Sequence, residues 1–451
     1  MNLFSYQLLT TLAMPFIAYS GWKRCRKHQK QQLQNPDLPE IPDCFRSRFG
    51  FNRQNYQTDG IWIHAVSVGE TRSIFPLLSA LKKQYPNLPL TVTNGSTQGA
   101  LQALQFSPVA IQHQMLPYDY PFAIKRFLHQ IKPKLVIMVE TEIWPNLYQA
   151  CKKQNIPVIL INARLKESSF KAYQKWGGKL IANALNQTQF ISAQFATDAE
   201  HFKALGAEES KIKTLGNLKF DLNIAEDLSD RAHNWKQQNQ LLERPIWVAA
   251  STHAHPIHSE NKASEEQLIL DAHQELLKSQ PNALLILVPR HADRFQPVAD
   301  LLSENSLIWQ QRSQSNEVKT DTQVYLADSV GELMLWFSVA DIAFIGGSLV
   351  PFGGHNILEP AALNKPVLSG PNYQNLAALF EPFVNQEGVK IVDNSHELAQ
   401  TLEQLITHKS QANKLANQGY KCFAQQTGAV DRTLQALKPY LEPYLEPHLE
   451  S

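Results

Sequence analysis

The sequence predicts an α/β chain built from two Rossmann-like domains. From residue 60 onward, short and continuous apolar runs alternate with helix-length amphipathic segments, the pattern of parallel strands covered by helices on both faces. The alternation is interrupted once, by a polar interval from about Asn223 to Glu243, and then restarts. At 451 residues, 43% hydrophobic and 18% charged, the chain has an ordinary globular composition and a length that favours two cores over one.

The first element is NLFSYQLLTTLAMPFIAYSGW, 21 uncharged residues from Asn2 to Trp22, followed at once by KRCRKHQK. The run is long enough to span a bilayer as a helix, and Gln7, the threonines and Pro15 make it only moderately apolar, so spanning and lying in the interface both fit. A cleaved signal needs a positive segment before the apolar run and a small-residue cleavage site after it, and neither is present. An uncleaved membrane anchor over residues 1–22 is expected; an amphipathic helix or a hydrophobic arm packed on the protein is the alternative. Residues 1–53 hold eight Lys or Arg against three Asp or Glu, within a net charge of +1 for the whole chain. Lys23, Arg24, Arg26, Lys27 and Lys30 would place the following chain in the cytoplasm and attract anionic headgroups.

Strands are expected at 61–66, 88–93, 134–140, 157–162, 189–193 and 211–216 in the first domain. The second should contain strands at 245–251, 283–289, 322–327, 341–347 and 365–370. The boundaries follow: a first Rossmann-like domain over 23–225, a linker over 226–243, a second over 244–435, and a cleft between the two halves. The ending PYLEPYLEPHLES repeats proline every fourth residue, which forbids a regular helix, so 436–451 reads as an irregular tail. Cys25, Cys44, Cys151 and Cys422 are scattered, a pattern that fits a reducing compartment and indicates neither a disulfide framework nor a zinc site.

Several strand ends carry ionisable or glycine-rich segments. In IWIHAVSVGE a buried strand leads through a short turn to Glu70, either a dipole-favoured helix start or an acid at the address where open α/β sheets bind ligands. VETEIWPN brings Glu140 and Glu142 to another strand end, where two neighbouring acids tune one another or simply open a helix. LGNLKFD supplies Lys219, a cation suited to developing negative charge. In the second half, FIGGSLVPFGGHNILEPAAL offers backbone N–H groups to a phosphate and Glu359 to ribose hydroxyls. Arg290 in LVPRH suits a phosphate or carboxylate, and Gly331 with Glu332 in DSVGEL fits either nucleotide contact or plain capping. His253, His255 and His258 have no ligand spacing, and the chain contains no Asp-x-Asp, so no metal is expected.

Taken in order, HAVSVGE, VETEIWPN, INARL, GNLKFD, ASTH, PRH and GGSLVPFGGHNILEPAA resemble the bacterial Kdo transferases, membrane-associated enzymes that add 3-deoxy-manno-octulosonic acid (Kdo) to a lipid A precursor. The resemblance spans roughly residues 45–435. It implies the two-domain GT-B glycosyltransferase architecture with an acceptor-binding first domain, CMP-Kdo as donor, a phosphorylated acylated disaccharide as acceptor, inversion by direct displacement, and no cofactor or metal. It implies Glu70 as general base, with Glu140 and Lys219 stabilising the transition state. It further implies CMP contacts at Pro289, Arg290, Val330, Gly331, Glu332, Asn356, Ile357, Leu358 and Glu359. The bacterial inner membrane, with the catalytic domains on its cytoplasmic face, is the implied location. In the family STH is followed by acidic and glycine residues, whereas here the chain continues AHPIHSE. Another nucleotide-sugar enzyme of this architecture, a UDP-hexosaminyltransferase or an epimerase, is the alternative. Arg46, Arg48 and Arg53 are candidates for the acceptor phosphates by charge and position.

Overall fold

The computed structural model describes residues 1–36, 38–222, 224–255 and 263–442. The chain forms two compact units, one of Met1–Asp221 with the segment that begins at Thr427, the other of Leu222–Gln426.

The first unit is a seven-stranded parallel sheet of β1 (Ile61–His64), β2 (Leu90–Asn94), β3 (Gln112–Met115), β4 (Leu135–Val139), β5 (Val158–Ala163), β6 (Ile191–Ala193) and β7 (Ile212–Thr214). Their order is β3-β2-β1-β4-β5-β6-β7. Chain order reverses direction between β1 and β4, which pair in register from Ile61↔Leu135 to His64↔Met138. β3 was absent from the expected strands: QHQM has too few apolar residues to read as a strand, and pairing with β2 supplies what periodicity lacks. Helices cover both faces. Ile61, Ile63, Ile137 and Ile159 belong to one apolar layer and Trp62, Val136, Met138 and Leu160 to the other, as alternate side chains of a doubly covered sheet must.

Helix α1 (Leu3–Gln34) runs unbroken through Trp22, so no element boundary falls there, and its 32 residues extend about 48 Å. It is seated on the unit by polar contacts. Tyr6 donates to Asp119 at 2.9 Å, Gln7 to Asn146 at 2.6 Å, and the hydroxyls of Tyr120 and Tyr118 donate to the carbonyls of Thr10 and Ile17 at 3.0 and 3.3 Å. Among the described residues no helix is long and apolar enough to cross a membrane. Cys25 of this helix is disulfide-bonded to Cys44, contrary to the expectation from spacing; the chain after α1 folds back and brings the two Cα atoms to 5.8 Å.

Helices α2 (Val68–Ser73), α3 (Phe75–Gln84), α4 (Pro121–Ile131) and α5 (Pro145–Lys153) follow β1, β3 and β4. Asp119 is buried ahead of α5 and accepts the backbone N–H groups of Asn146 and Leu147 at 3.0 and 2.9 Å, which answers the unpaired donors of that helix start. The C-terminal helix, Ala429–Leu441, also belongs to this unit; its Ala429, Val430, Leu437 and Leu441 enter the same apolar layer as α3. Residues 436–441 are therefore helical rather than an irregular tail, because Pro439 sits in a last turn that its apolar face holds in place, while 443–451 lie outside the described residues.

The second unit repeats the plan with β8 (Ile246–Thr252), β9 (Leu284–Pro289), β10 (Trp309–Gln311), β11 (Val324–Leu326), β12 (Ile342–Ile345), β13 (Val367–Ser369) and β14 (Lys390–Ile391). These are parallel and ordered β10-β11-β9-β8-β12-β13-β14. β10 and β14 are short edge strands without a period to announce them. Helices α6 (Leu228–Gln238), α7 (Glu265–Leu276), α8 (Leu333–Val339) and α9 (Leu358–Ala362) lie in this unit. α6 occupies the stretch read as linker and buries Leu228, Ala232 and Trp235, with Trp235 edge-on to Trp336 of α8 at 5.4 Å.

One carboxylate receives the start of the C-terminal helix. Asp221 accepts the backbone N–H groups of Gly428 and Val430, and Arg432 donates to the Leu215 carbonyl at 2.9 Å. Replacing Asp221 with Ala should leave those two donors unpaired and lower the unfolding free energy of the first unit by about 1–2 kcal/mol, read as a fall in urea midpoint. An unchanged midpoint would show that the helix is held by its apolar face alone.

Candidate functional site

In each sheet the segments that the sequence marks out emerge at carboxyl ends of strands. In a doubly wound sheet the crevice for ligands opens where chain order reverses, between β1 and β4 in the first unit and between β8 and β12 in the second.

Glu70 lies one turn beyond β1, at the third residue of α2. Ser67 caps this helix, accepting the Glu70 N–H at 3.3 Å, and returns its hydroxyl to Glu70 Oε1 at 2.8 Å; Oε2 accepts the Val66 N–H at 2.6 Å. Ser67 thus caps the helix while Glu70 reaches back to the Ser67 hydroxyl and the Val66 N–H, so the local segment Val66–Glu70 suffices to orient the carboxylate. A Cβ added to Gly69 would meet open space. Burial is the main cause that raises the Glu70 pKa above the ordinary carboxylate range, and the charge of Glu140 adds to it.

Glu140 terminates β4 in the left-handed region, at φ +65°. A non-glycine residue pays steric energy of order 1 kcal/mol for this conformation, and such positions cluster where a side chain must be aimed. Its carboxylate meets Lys219 at 3.0 Å. Lys219 is placed in turn by a chain of amides: Asn217 accepts its N–H at 2.9 Å, and Asn162, itself left-handed at φ +49°, accepts the Leu218 N–H at 3.0 Å. INARL therefore serves GNLKFD by holding its turn. Glu142 faces inward instead, accepting from the Trp144 indole at 2.7 Å and standing 3.6 Å from buried His64. Glu70, Glu140 and Lys219 are thus brought together.

In the second unit Pro289 ends β9 and the Arg290 N–H donates to the Thr252 carbonyl of neighbouring β8 at 3.1 Å. Val330, Gly331 and Glu332 follow β11; Val330 is 74% exposed, and Gly331 stands at φ +91°, a conformation its lack of Cβ permits. The Glu332 carboxylate is engaged by Arg312 in a two-pronged pair at 3.1 and 2.9 Å and by Ser329; burial pushes its pKa up, and these partners outweigh that and hold it below its usual value. Asn356, one residue ahead of the α9 N-cap Ile357, accepts the Leu358 N–H at 3.1 Å. Ile357 and Leu358 are fully buried, main chain included.

The glycine-rich loop after β12 holds what sequence reasoning missed. Glu265, fully buried at the start of α7, accepts the N–H groups of Gly347, Ser348 and Leu349 at 2.5, 2.9 and 2.9 Å and that of His253 at 3.2 Å. Amides expected to cradle a phosphate are occupied by an internal carboxylate. Burial pushes the Glu265 pKa up to about 7, and its backbone hydrogen bonds hold back a larger rise. Beside it Glu266 accepts from Thr252 at 3.3 Å and pairs with Arg294 at 3.1 Å. These acids therefore stand against Thr252 and His253 despite the AHPIHSE departure. The available signal was Ser264, which caps α7 just before the two glutamates.

His253 stacks on Phe352 at 3.6 Å and its Nε2 lies 2.7 Å from that of His355. Burial lowers their pKa values to about 4 and about 3, so the pair is neutral and one ring donates to the other. His258 lies outside the described residues, among which no group of three or more His, Cys, Asp and Glu side chains is placed to hold a metal ion.

Comparison with known proteins follows the same division. Residues 43–222 match the family described as 3-deoxy-D-manno-octulosonic-acid transferase (kdotransferase). A 3-deoxy-D-manno-octulosonic acid transferase of Haemophilus influenzae is 39% identical over 410 residues, 89% of this chain and 92% of the relative. One from Bordetella pertussis is 30% identical over 390 residues, 84% of this chain and 87% of that protein. The fold is shared with a putative UDP-N-acetylglucosamine 2-epimerase of Listeria monocytogenes solved by crystallography, at a TM-score of 0.55 and 14% identity, over 86% of this chain and 98% of that one. By its likeness to the Haemophilus and Bordetella enzymes over most of their length, the chain belongs to the 3-deoxy-D-manno-octulosonic acid transferase family.

Proposed function

We propose that this protein transfers Kdo from CMP-Kdo to a lipid A precursor, with inversion and with Glu70 as general base. The observation that carries the reading is the convergence of Glu70 with the Glu140–Lys219 pair at the order reversal of the first sheet. A base of raised pKa serves an acceptor hydroxyl better than an ordinary carboxylate, because its conjugate acid lies nearer neutrality. In the step envisaged, Glu70 takes the hydroxyl proton, the acceptor oxygen bonds to the anomeric carbon, and the bond from that carbon to the phosphate oxygen breaks to release CMP. Lys219, steadied by Glu140, supplies positive charge as negative charge develops.

The donor contacts are assigned to Pro289, Arg290, Val330–Glu332 and Asn356–Glu359, all at carboxyl ends of strands in the second unit. The reading gives no role to a metal, since the chain has no Asp-x-Asp pair to hold one beside the donor phosphate. Glu265 has a positioning role: it fixes the loop that leads from β12 to Asn356.

The bilayer is approached through α1. Phe4, Leu8, Leu12, Phe16 and Tyr19 recur at helical spacing and are each more than half exposed, while the opposite side makes the polar contacts with the unit. Such a helix lies in the headgroup plane, with Lys23, Arg24, Arg26, Lys27 and Lys30 continuing it toward anionic lipid on the cytoplasmic face of the bacterial inner membrane.

Purified protein with CMP-Kdo and lipid A precursor should yield CMP and a heavier lipid by mass spectrometry; preference for a UDP-sugar would turn the assignment to a hexosaminyltransferase or epimerase. Glu70→Ala should lower turnover by roughly two to four orders of magnitude while CMP affinity stays near that of the wild type. A variant that kept most of its rate would return Glu70 to the part of a helix cap. Activity should rise with pH through the raised pKa of Glu70, and the residual activity of Glu140→Gln should rise at lower pH, because that substitution removes a repelling charge and frees Lys219 beside the base. An acid limb unmoved by that substitution would sink the assignment of the base. Glu265→Ala should leave four buried N–H groups unpaired, lower stability by about 3 kcal/mol or more, and weaken CMP binding; calorimetry of folding and of CMP binding reads both.

A further inference from the structure

A basic concavity in the first unit stands apart from Glu70 and is not used by the chemistry above. It encloses about 280 Å³ and is lined by Arg46, Phe51, Asn52, Arg53, Arg126 and His129. Its walls come from the short turn Arg46–Phe49, the chain that follows Gly50, and the exposed side of α4. Gly50 allows the approach of these walls: it stands at φ +74°, and a Cβ there would meet the Ala123 carbonyl at 2.5 Å.

Three guanidinium groups line one small concavity, and among the described residues no carboxylate lies within ion-pair distance of them. The neighbouring acid, Asp43, accepts the backbone N–H of Arg53 at 3.0 Å. Arg48, grouped with Arg46 and Arg53 by sequence, does not join them. It is buried, donates to the Gly95 carbonyl at 2.8 Å and lies against Tyr118. Clustered guanidinium groups repel one another and gain from a multiply charged anion that each can grip through two N–H donors.

The surroundings specify what carries that anion. Arg126 lies over the rings of Phe51 at 4.2 Å and Phe122 at 5.5 Å, and both rings are partly exposed at 46% and 40%. Phe122 stacks with Phe49, and Phe49 meets Tyr118, whose hydroxyl bonds to α1 at Ile17. The cationic concavity is therefore joined through one aromatic layer to the helix whose Phe4, Leu8, Leu12 and Phe16 are exposed. A phosphate at the head of a lipid combines the anionic charge and the apolar flank that these surroundings suit.

We infer that Arg46, Arg53, Arg126 and His129 form a binding site for the phosphate group of a membrane lipid, held beside α1 and separate from the catalytic carboxylates. The inference rests on the reading of α1 as an interfacial helix. Two sources share the chemistry: a phosphate of the acylated disaccharide acceptor and the headgroup phosphate of a bilayer phospholipid.

The test uses the full chain, its Arg53→Ala/Arg126→Ala variant, and Lys125→Ala as a control of equal type on the same helix outside the concavity. Thermal transitions and CMP affinity like those of the wild type establish that the variants fold, and Arg53→Ala alone replaces the double variant if its transition is lowered. In the first arm, kinetics in mixed micelles use the phosphorylated acceptor and its dephosphorylated form. In the second, co-sedimentation uses phosphatidylcholine vesicles with and without phosphatidylglycerol. Each arginine removed should raise the KM for phosphorylated acceptor about fivefold at unchanged kcat, an effect absent with the dephosphorylated form, if the acceptor is the source. A similar loss of binding confined to phosphatidylglycerol vesicles assigns the site to a bilayer headgroup. The inference is overturned if neither arm responds, or if Lys125→Ala moves both as far as the arginine variant. Wild-type protein that transfers no Kdo sinks the proposed function and leaves the vesicle arm to decide the site.

Discussion

Side-chain oxygens that accept backbone N–H groups beyond the ends of parallel strands are the contacts on which both units depend. Where a strand gives way to a loop or a helix, peptide groups lose the ladder, and burying them unpaired is costly. Glu70 closes the turn after β1, Asn162 holds the turn that carries Lys219, Asp221 receives the start of the C-terminal helix, and Glu265 gathers the loop after β12. Three of these four are acids, so the device that completes the fold also concentrates charge where ligands of such sheets bind.

The same economy explains how one residue serves structure and chemistry. The local hydrogen bonds from Val66 and Ser67 orient the Glu70 carboxylate without help from distant elements, and half-burial with Glu140 nearby raises its pKa. Glu140 needs tertiary support. Its left-handed backbone turns the side chain toward Lys219, and Lys219 stands where Asn217 and Asn162 put it. Glu265 is the limiting case, a carboxylate wholly inside the unit whose part is to shape a loop.

Helix α1 and the basic concavity are built from the same contrast of buried and exposed sides. α1 is neither apolar all round nor free of the unit: Tyr6 and Gln7 are committed inward while Phe4, Leu8 and Leu12 are left outward. An aromatic layer around Phe49 and Tyr118 then passes from the helix to the arginines of the basic concavity.

Much of this was legible in the residues alone. Continuous apolar runs such as LVIMV and LLILVP set the central strands, because a strand buried on both faces needs no polar partner side, and Ser67 with Glu70 encoded a local cap. Strands β3, β10 and β14 were not legible, since edge pairing rather than periodicity makes them strands. Nor were the joining of Cys25 to Cys44, the return of the C-terminal helix to the first unit, the neutral His253–His355 pair, or the hold of Glu265 on the glycine-rich loop. Each of these joins residues distant in the chain, and only the folded backbone sets the distance and desolvation on which their energies depend. Sequence determined the local chemistry of each strand end; tertiary structure decided which of those ends would share a charge, a proton or a ring.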